Sequence, residues 1–353
     1  MPRAAAPPPL RGALVGLGNV AVHGHLPGWR RRADARLVAV TDTRPACRAA
    51  ARRELPDAAW HDSLPALLDH APLDFVDLCT PPSSHAPIIR AALERGLAVL
   101  CEKPLVPAPA DLAPLAELAR AKGLTLHTVH NWHHAPIVRR AAELLEAGAV
   151  GRVGHVAWQT LRQRPAPAGA GGEANWRLDP AIGGGGVLTD HGWHVFYLLR
   201  RWIGADPVAV SARLETRRHR QHPVEDTATV SLRFPDATAD VFLTWAADER
   251  LNRAEIRGSA GTLRLEDDTL VLARTGGEQR WPCPPALSDG SHHPDRFDPV
   301  LDQFLAAVRA GTGDNLAEAT LCVTIEALAR QSSREGGAWL PLPPPVPSPP
   351  SLR

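Results

Sequence analysis

The sequence predicts an α/β protein of two domains, the first built on a doubly wound parallel sheet. Three observations predict it. The 353 residues are too many for one small core. Apolar strands alternate with helical segments through the first 130 residues. The first of those strands runs directly into closely spaced glycines. With 44% hydrophobic residues and a net charge of +1, the composition is that of an ordinary globular protein and gives no electrostatic case for nucleic acid or a membrane surface. No apolar run approaches the roughly 20 residues of a membrane span. The five cysteines (Cys47, Cys79, Cys101, Cys283, Cys322) are scattered without metal-type spacing and read as reduced thiols in a cytoplasmic protein. No metal site is expected. Met1–Pro9 reads as a tail and not a signal peptide, and Leu340–Arg353 as a proline-rich disordered tail.

The first strand begins at Leu10 and ends in Gly16-x-Gly18-x-x-Ala21, after which a helix opens. The second strand, Leu37–Val40, ends at Thr41-Asp42. This order is that of a Rossmann dinucleotide-binding unit. Gly16 permits the tight turn, Gly18 lets backbone approach a pyrophosphate, and Ala21 keeps helix and strand close. The phosphates would sit at the helix N-terminus, with Asn19 and Val20 offering backbone contacts. Asp42 can accept hydrogen bonds from a ribose diol and repel a 2′-phosphate, which favours NAD. Arg44 could accept that phosphate, so NADP is the alternative.

The alternation continues through a helix at Ser63–His70, a strand at Phe75–Cys79, a helix at His85–Arg95, a strand at Ala98–Cys101, a helix at Asp111–Lys122 and a strand at Leu124–Val129. Ligands of such sheets bind beyond the carboxyl ends of the strands. That rule sets Gly16, Asp42, Thr80, Glu102, Lys103 and His130-Asn131 along one edge. Lysine usage singles out one of them, because only Lys103 and Lys122 stand against 37 arginines. A partly buried ammonium can exchange a proton where a guanidinium cannot. Lys122 precedes Gly123 at a predicted helix end, where a cation suits the dipole.

Gly16-x-Gly18-x-x-Ala21, Cys79-Thr80-Pro81-Pro82-Ser83-Ser84-His85 and Glu102-Lys103-Pro104 together resemble the Gfo/Idh/MocA oxidoreductases, from about Leu10 to Leu340. The resemblance implies a Rossmann domain over residues 10–130. It implies a second α+β domain over residues 131–339, with an open, mostly antiparallel sheet that carries the substrate pocket and supports homo-oligomers (dimer or tetramer). Pro81, Pro82 and His85 would line the nicotinamide side, and Asn131 would meet the nicotinamide ribose or a substrate hydroxyl. Trp176-Arg177 resembles a segment that closes near the cofactor, with a buried tryptophan as the equal alternative.

In the second half, strands are expected at Gly154–Leu161, Val208–Arg217, Ala228–Phe234, Ala239–Ala246, Asn252–Gly258, Thr262–Glu266 and Thr269–Ala273, several with period-two alternation. Helices are expected at Arg139–Ala147, Asp298–Arg309 and Leu316–Arg330. Gly183–Gly186 leads into a helix that sets Asp190 and His194, four residues apart, on one face. By themselves these could be an acid in a first turn and a core-packed histidine. They also match the family's Asp-x-Gly-x-His element, which His191 does not. The resemblance then implies that His194 is the general base, that Asp190 orients it, and that Lys103 donates to the reacting oxygen, with Glu102 holding Lys103 or contacting the nicotinamide ribose.

Two departures bear on the substrate. Many relatives carry arginines where this chain has Asn131-Trp132-His133-His134-Ala135-Pro136, and commonly an acid where it has Tyr197, its only tyrosine. A more aromatic, less charged pocket follows. Arg217–His222 reads as a solvated basic turn, and His292-His293 lacks metal-type partners. The expected activity is NAD(P)-dependent hydride transfer between nicotinamide and a secondary alcohol or ketone of a sugar, polyol or cyclitol. The alternatives are a non-catalytic NAD(P) or sugar sensor on the same fold, and a closed redox cycle with tightly held cofactor.

Overall fold

A computed structural model describes residues 7–70, 72–168, 174–311 and 313–344. In the first unit six strands, β1 (Leu10–Val15), β2 (Ala35–Thr41), β3 (Ala59–His61), β4 (Phe75–Leu78), β5 (Ala98–Cys101) and β6 (Leu126–Thr128), form one sheet. Their order is β3-β2-β1-β4-β5-β6 and every pairing is parallel. The order reverses at β1, which is where a doubly wound sheet opens its ligand crevice. β4 and β5 are buried at every position, as strands covered on both faces must be. Short, half-exposed β3 lacks an apolar signal and went unpredicted, as did the helix Cys47–Glu54, which buries only Ala51.

The core of this unit joins Leu14, Leu17, Ala21, Trp29, Phe75 and Leu100 to Phe297, Val300, Leu301, Phe304 and Leu305. The last five share one face of the helix Phe297–Ala310. The first compact unit is Met1–Val106, Ala110–Asn131 and His292–Leu316, and the second is Pro107–Pro109, Trp132–Ser291 and Ala317–Arg353. The helix Phe297–Ala310 falls in the first unit because its apolar stripe lies in that core.

The second unit holds a nine-stranded sheet of β7 (Val153–Leu161), β8 (Ala209–Glu215), β9 (Thr227–Arg233), β10 (Thr238–Thr244), β11 (Leu251–Gly258), β12 (Thr262–Glu266), β13 (Thr269–Arg274), β14 (Gly277–Pro282) and β15 (Leu340–Pro341). The order is β14-β13-β12-β11-β7-β10-β9-β8-β15, antiparallel except for the parallel β7–β10 pair. β14 is exposed along almost its whole length and has no apolar pattern to find. β15 corrects the reading of residues 340–353 as disordered: Leu340 pairs with Val210 and Pro341 with Ala209 at the sheet edge, where a proline is tolerated. The rest of that segment, from residue 345, lies outside the described residues. Among the described residues no helix is long and apolar enough to cross a membrane.

His127 in β6 has its pKa lowered to about 4, chiefly by burial and further by neighbouring His130. Burial lowers His85 and His61 as well. The unfolded chain takes up a proton near 6.5 that folded His127 refuses, so stability falls as pH drops through that window. The unfolding free energy from urea titration is expected to be about 2 kcal/mol lower at pH 5 than at pH 7 on account of His127, and His127→Asn should remove that share of the slope.

Candidate functional site

In the first unit the chemistry gathers at the carboxyl ends of the strands. Gly16 follows β1 with φ +90°, and its N–H donates to the Thr41 carbonyl at 2.9 Å. A Cβ there would stand 2.9 Å from the Cys79 carbonyl carbon and from Thr80 Cγ2, so both conformation and space demand glycine. Gly18 differs. A Cβ on it would meet only Arg44 Nη2, at 4.0 Å. Packing within the chain does not require glycine there, and the backbone stands open to a ligand. The helix opens at Asn19 with Val22 N–H bonded to the Gly18 carbonyl at 3.0 Å. The first-turn N–H groups, those of Asn19 and Val20 included, have no acceptor within the helix and favour an anion.

Asp42 closes the other side of this cradle. Its Oδ2 accepts the Leu17 N–H at 2.8 Å, and its Oδ1 accepts the Arg44 N–H and Nε–H at 2.8 and 2.9 Å. Arg44 Nη2 donates to Oδ2 at 2.9 Å. Burial opposes the charge on Asp42, but the hydrogen bonds from Arg44 and Leu17 hold its carboxyl below the usual range. A glycine turn, an open helix start and an ionised carboxylate fit the phosphate and ribose of a dinucleotide.

The segment after β4 is tied to the segment after β5. The Ser84 hydroxyl bridges Thr80 Oγ1 and the Pro81 carbonyl at 2.7 and 2.8 Å, and Pro82 is buried beneath them. His85 is fully buried, with its ring nitrogens 2.8 Å from the carbonyls of Thr80 and Pro104. That position makes His85 a tie between the segments that follow β4 and β5. Glu102 donates its N–H to the Leu78 carbonyl at 2.9 Å and accepts the Lys103 N–H on Oε2 at 2.9 Å. After β6, Asn131 Oδ1 is buried without a hydrogen-bond partner among the described residues, an acceptor a ligand can use. Sequence reasoning missed His25, which reaches Asp77 and Glu102 from beneath this edge. The available signal was Asp77, an acid inside an otherwise apolar four-residue strand.

In the second unit the glycine run has a physical cause. A Cβ on Gly186 would lie 1.9 Å from the Glu225 carbonyl oxygen, and one on Gly185 would meet the Arg330 guanidinium. Glu225 Oε1 accepts the N–H of Gly186 at 3.0 Å and of Leu188 at 3.3 Å. Arg330 donates to both Glu225 oxygens, at 3.1 and 3.2 Å, and to Thr189 Oγ1 at 2.8 Å. This pair, also missed from sequence, fixes the start of the helical segment bearing Asp190 and His194. Its first turn, Leu188–Gly192, is π-helical and passes into the α-helix Trp193–Ile203. Such turns recur at functional sites.

Asp190 Oδ1 lies 4.0 Å from Arg177 Nε, and its Oδ2 3.5 Å from His191 Nε2. The Arg177 guanidinium stacks over the Trp176 ring at 4.2 Å, and Trp176 is half-buried. His194 is buried, its ring parallel to that of Trp132 at 4.6 Å, with Nδ1 3.1 Å from the Tyr197 hydroxyl. The same hydroxyl accepts the Trp132 N–H at 3.0 Å. Tyr197 is thus a direct neighbour of the candidate base, and Trp132, Trp158 and Trp202 form a tryptophan bed below it.

Residues 10–130 match the family described as an oxidoreductase family with an NAD-binding Rossmann fold, and residues 138–264 match the GFO/IDH/MocA C-terminal domain. Over 343 residues the chain is 29% identical to a dTDP-3,4-didehydro-2,6-dideoxy-alpha-D-glucose 3-reductase of Streptomyces antibioticus, covering 92% of this chain and 98% of that one. It is 30% identical over 258 residues to the protein of the same name from Actinomadura kijaniata, 70% of each chain. Among solved structures, an oxidoreductase domain protein from Kribbella flavida superposes with a TM-score of 0.82 at 25% identity, over 96% of this chain and all of that one.

The Glu225–Arg330 pair yields a direct test of what holds the glycine run. Replacing Glu225 by Ala leaves a largely buried guanidinium without its main counter-charge and removes the acceptor for two backbone N–H groups. A loss of about 3 kcal/mol is expected from urea unfolding, with a Glu225→Gln variant intermediate.

Proposed function

We propose, from the premise that this chain belongs to the GFO/IDH/MocA family of oxidoreductases, that it moves a hydride between a nicotinamide dinucleotide and a secondary alcohol or ketone of a sugar. The single observation that carries the reading is the Glu102-Lys103 segment, held by Glu102 at the same strand edge as the glycine turn and Asp42. The reductases named above act by their names on a keto-deoxysugar carried by a nucleotide, which supports a sugar or nucleotide-activated sugar as the substrate class.

The cradle of Gly16, Gly18, Asn19, Val20 and Asp42 would hold the dinucleotide, which supplies or accepts the hydride when bound. Asp42, ionised and carrying Arg44, favours NAD over NADP. The reading gives Lys103 the task of donating a hydrogen bond to the substrate oxygen and stabilising alkoxide character there. His194 takes the hydroxyl proton in the oxidative direction and returns it in the reductive one. Its Nδ1 rests against the Tyr197 hydroxyl, which fixes the ring plane and directs proton exchange to Nε2. Asp190 favours the protonated ring through its charge, and Arg177 steadies Asp190. The aromatic bed of Trp132 suits the apolar face of a deoxysugar or sugar ring. On the same reading the protein is a cytoplasmic homo-oligomer, the cytoplasmic part in line with five cysteines of which none forms a disulfide.

The test is reduced-nicotinamide absorbance, with NAD and NADP, across sugars, polyols, cyclitols and nucleotide-activated keto-sugars. Turnover is expected with one of these classes. Lys103→Ala and His194→Asn should each lower kcat by about two orders of magnitude or more while leaving cofactor affinity nearly unchanged. Silence from folded protein across the whole panel overturns the reading in favour of a sensor or a closed redox cycle.

A further inference from the structure

Asp77 lies within β4, every residue of which is buried. An ionised carboxylate there must be paired and hydrogen-bonded. His25 Nδ1 lies 3.0 and 2.9 Å from its two oxygens, and Trp29 Nε1 donates to Oδ2 at 2.7 Å. The opposite ring nitrogen, Nε2, lies 3.0 Å from Glu102 Oε1. Glu102 in turn accepts the Lys103 N–H on its other oxygen. A neutral imidazole has one N–H and could serve only one of these carboxylates. Facing an acceptor at each end, the ring is satisfied as the imidazolium.

We propose that His25 is a positioning residue, a buried imidazolium that clamps Asp77 to Glu102 and thereby fixes the backbone from which Lys103 presents its ammonium. The assignment of a task to that ammonium rests on the oxidoreductase reading. The clamp itself rests on the four distances.

The groups around the ring agree with the charge assignment. Cys79 Sγ, at the end of β4, lies 3.2 Å from Nδ1, and burial pushes its thiol up to about 12, so it stays neutral. From the helix Phe297–Ala310, Phe297 closes over the imidazole with ring centroids 4.0 Å apart and brings no charge. Burial works against a charged His25, yet Asp77 outweighs it and holds the ring well above its usual pKa. Glu102 is held below the usual range against its own burial, by His25 first and then by Lys103. Two carboxylates are thus balanced by two cations, and the second cation is Lys103. Removing His25 would leave Lys103 beside uncompensated negative charge or beside a protonated Glu102, which no longer accepts its N–H in the same way.

The scarcity of lysine makes the consequence readable without a substrate. Reductive methylation with 13C-formaldehyde keeps the charge and labels only Lys103, Lys122 and the N-terminus. In a pH titration by NMR, His25→Gln is expected to shift the Lys103 titration by about half a pH unit or more while Lys122 stays in place. In 15N-histidine protein both ring nitrogens of His25 should still carry protons at about pH 8, where an ordinary histidine is neutral. With the substrate found by the panel, His25→Gln should lower kcat about tenfold or more and change the cofactor KM less than about twofold. A neutral His25 at that pH, or an unmoved Lys103 in folded His25→Gln, overturns the clamp. Should His25→Gln fail to fold, Glu102→Gln gives the same Lys103 readout, and the wild-type ring state still decides. A silent panel with a shifted Lys103 overturns the oxidoreductase reading and leaves the clamp. Full kcat in His25→Gln overturns the positioning role and leaves the reading.

Discussion

A carboxylate inside a fully buried strand sets terms that the rest of the first unit has to meet. Asp77 draws His25 and Trp29 from the first helix, and through His25 it reaches Glu102 beyond β5. Three neighbouring segments are thereby held together beneath the edge where the glycine turn and Lys103 lie. The cluster must be kept dry, and aromatic packing does this: Trp29 stacks on Phe75 at 4.9 Å, and Phe304 meets Phe75 edge-on at 5.5 Å. Phe297 and Phe304 belong to the late helix that returns to this core, so the return of the chain completes the cover. Buried charge pairs add little net stability compared with apolar packing of the same volume. Stability is therefore a poor explanation for the cluster, and the geometry it imposes on the Glu102-Lys103 backbone is a better one.

The same device recurs wherever the chain must hold an irregular backbone. Asp42 accepts the N–H groups of Leu17 and Arg44 at the glycine turn, and Glu102 accepts that of Lys103. In the second unit Glu225 accepts those of Gly186 and Leu188, while Asp226 accepts those of Arg217, Arg218 and His219. Each carboxylate satisfies donors that a loop cannot pair with itself, and an ionised acceptor makes each bond stronger than a neutral one. Glycine supplies the complementary half of the device. At Gly16 and Gly186 the backbone comes so near another backbone that no side chain fits between them. The basic turn Arg217–His222 is thus an anchored loop around Asp226 and not only a solvated charge run.

The sequence was most legible where one signal is both local and repeated. The strands ending at Gly16, Asp42, Thr80 and Glu102 are apolar runs closed by turn residues, and the parallel order put their ends on a common edge. β12 was located to the residue by its alternation, and most of its neighbours to within two or three. Elements without apolar periodicity escaped: β3 and β14 are held by strand pairing that a hydrophobic pattern does not encode, and the polar helix Cys47–Glu54 buries only Ala51 and has no capping side chain. The pairings of charge escaped for a different reason. His25 with Asp77 and Glu102, or Glu225 with Arg330, are contacts across 52, 77 and 105 residues, and nothing in the spacing of one partner names the other. Asp77 declared that it needed a partner, and only the fold could say which. The amphipathic stripe of Phe297–Ala310 likewise shows that a face is buried and not in which core.

Tyr197 is where the candidate base of this chain takes its own character. A carboxylate beside an imidazole does two things: it orients the ring and it favours the protonated form. The Tyr197 phenol performs the first, with its oxygen placed by the Trp132 N–H and set against Nδ1, but it contributes no negative charge. On the proposed reading the second task belongs to Asp190, a carboxylate 4.0 Å from Arg177 Nε and 3.5 Å from His191 Nε2. The stacked Trp132 ring confines the imidazole to a plane that either proton state can keep. A histidine arranged in this way exchanges a proton without moving, as reversible transfer to and from one substrate oxygen requires.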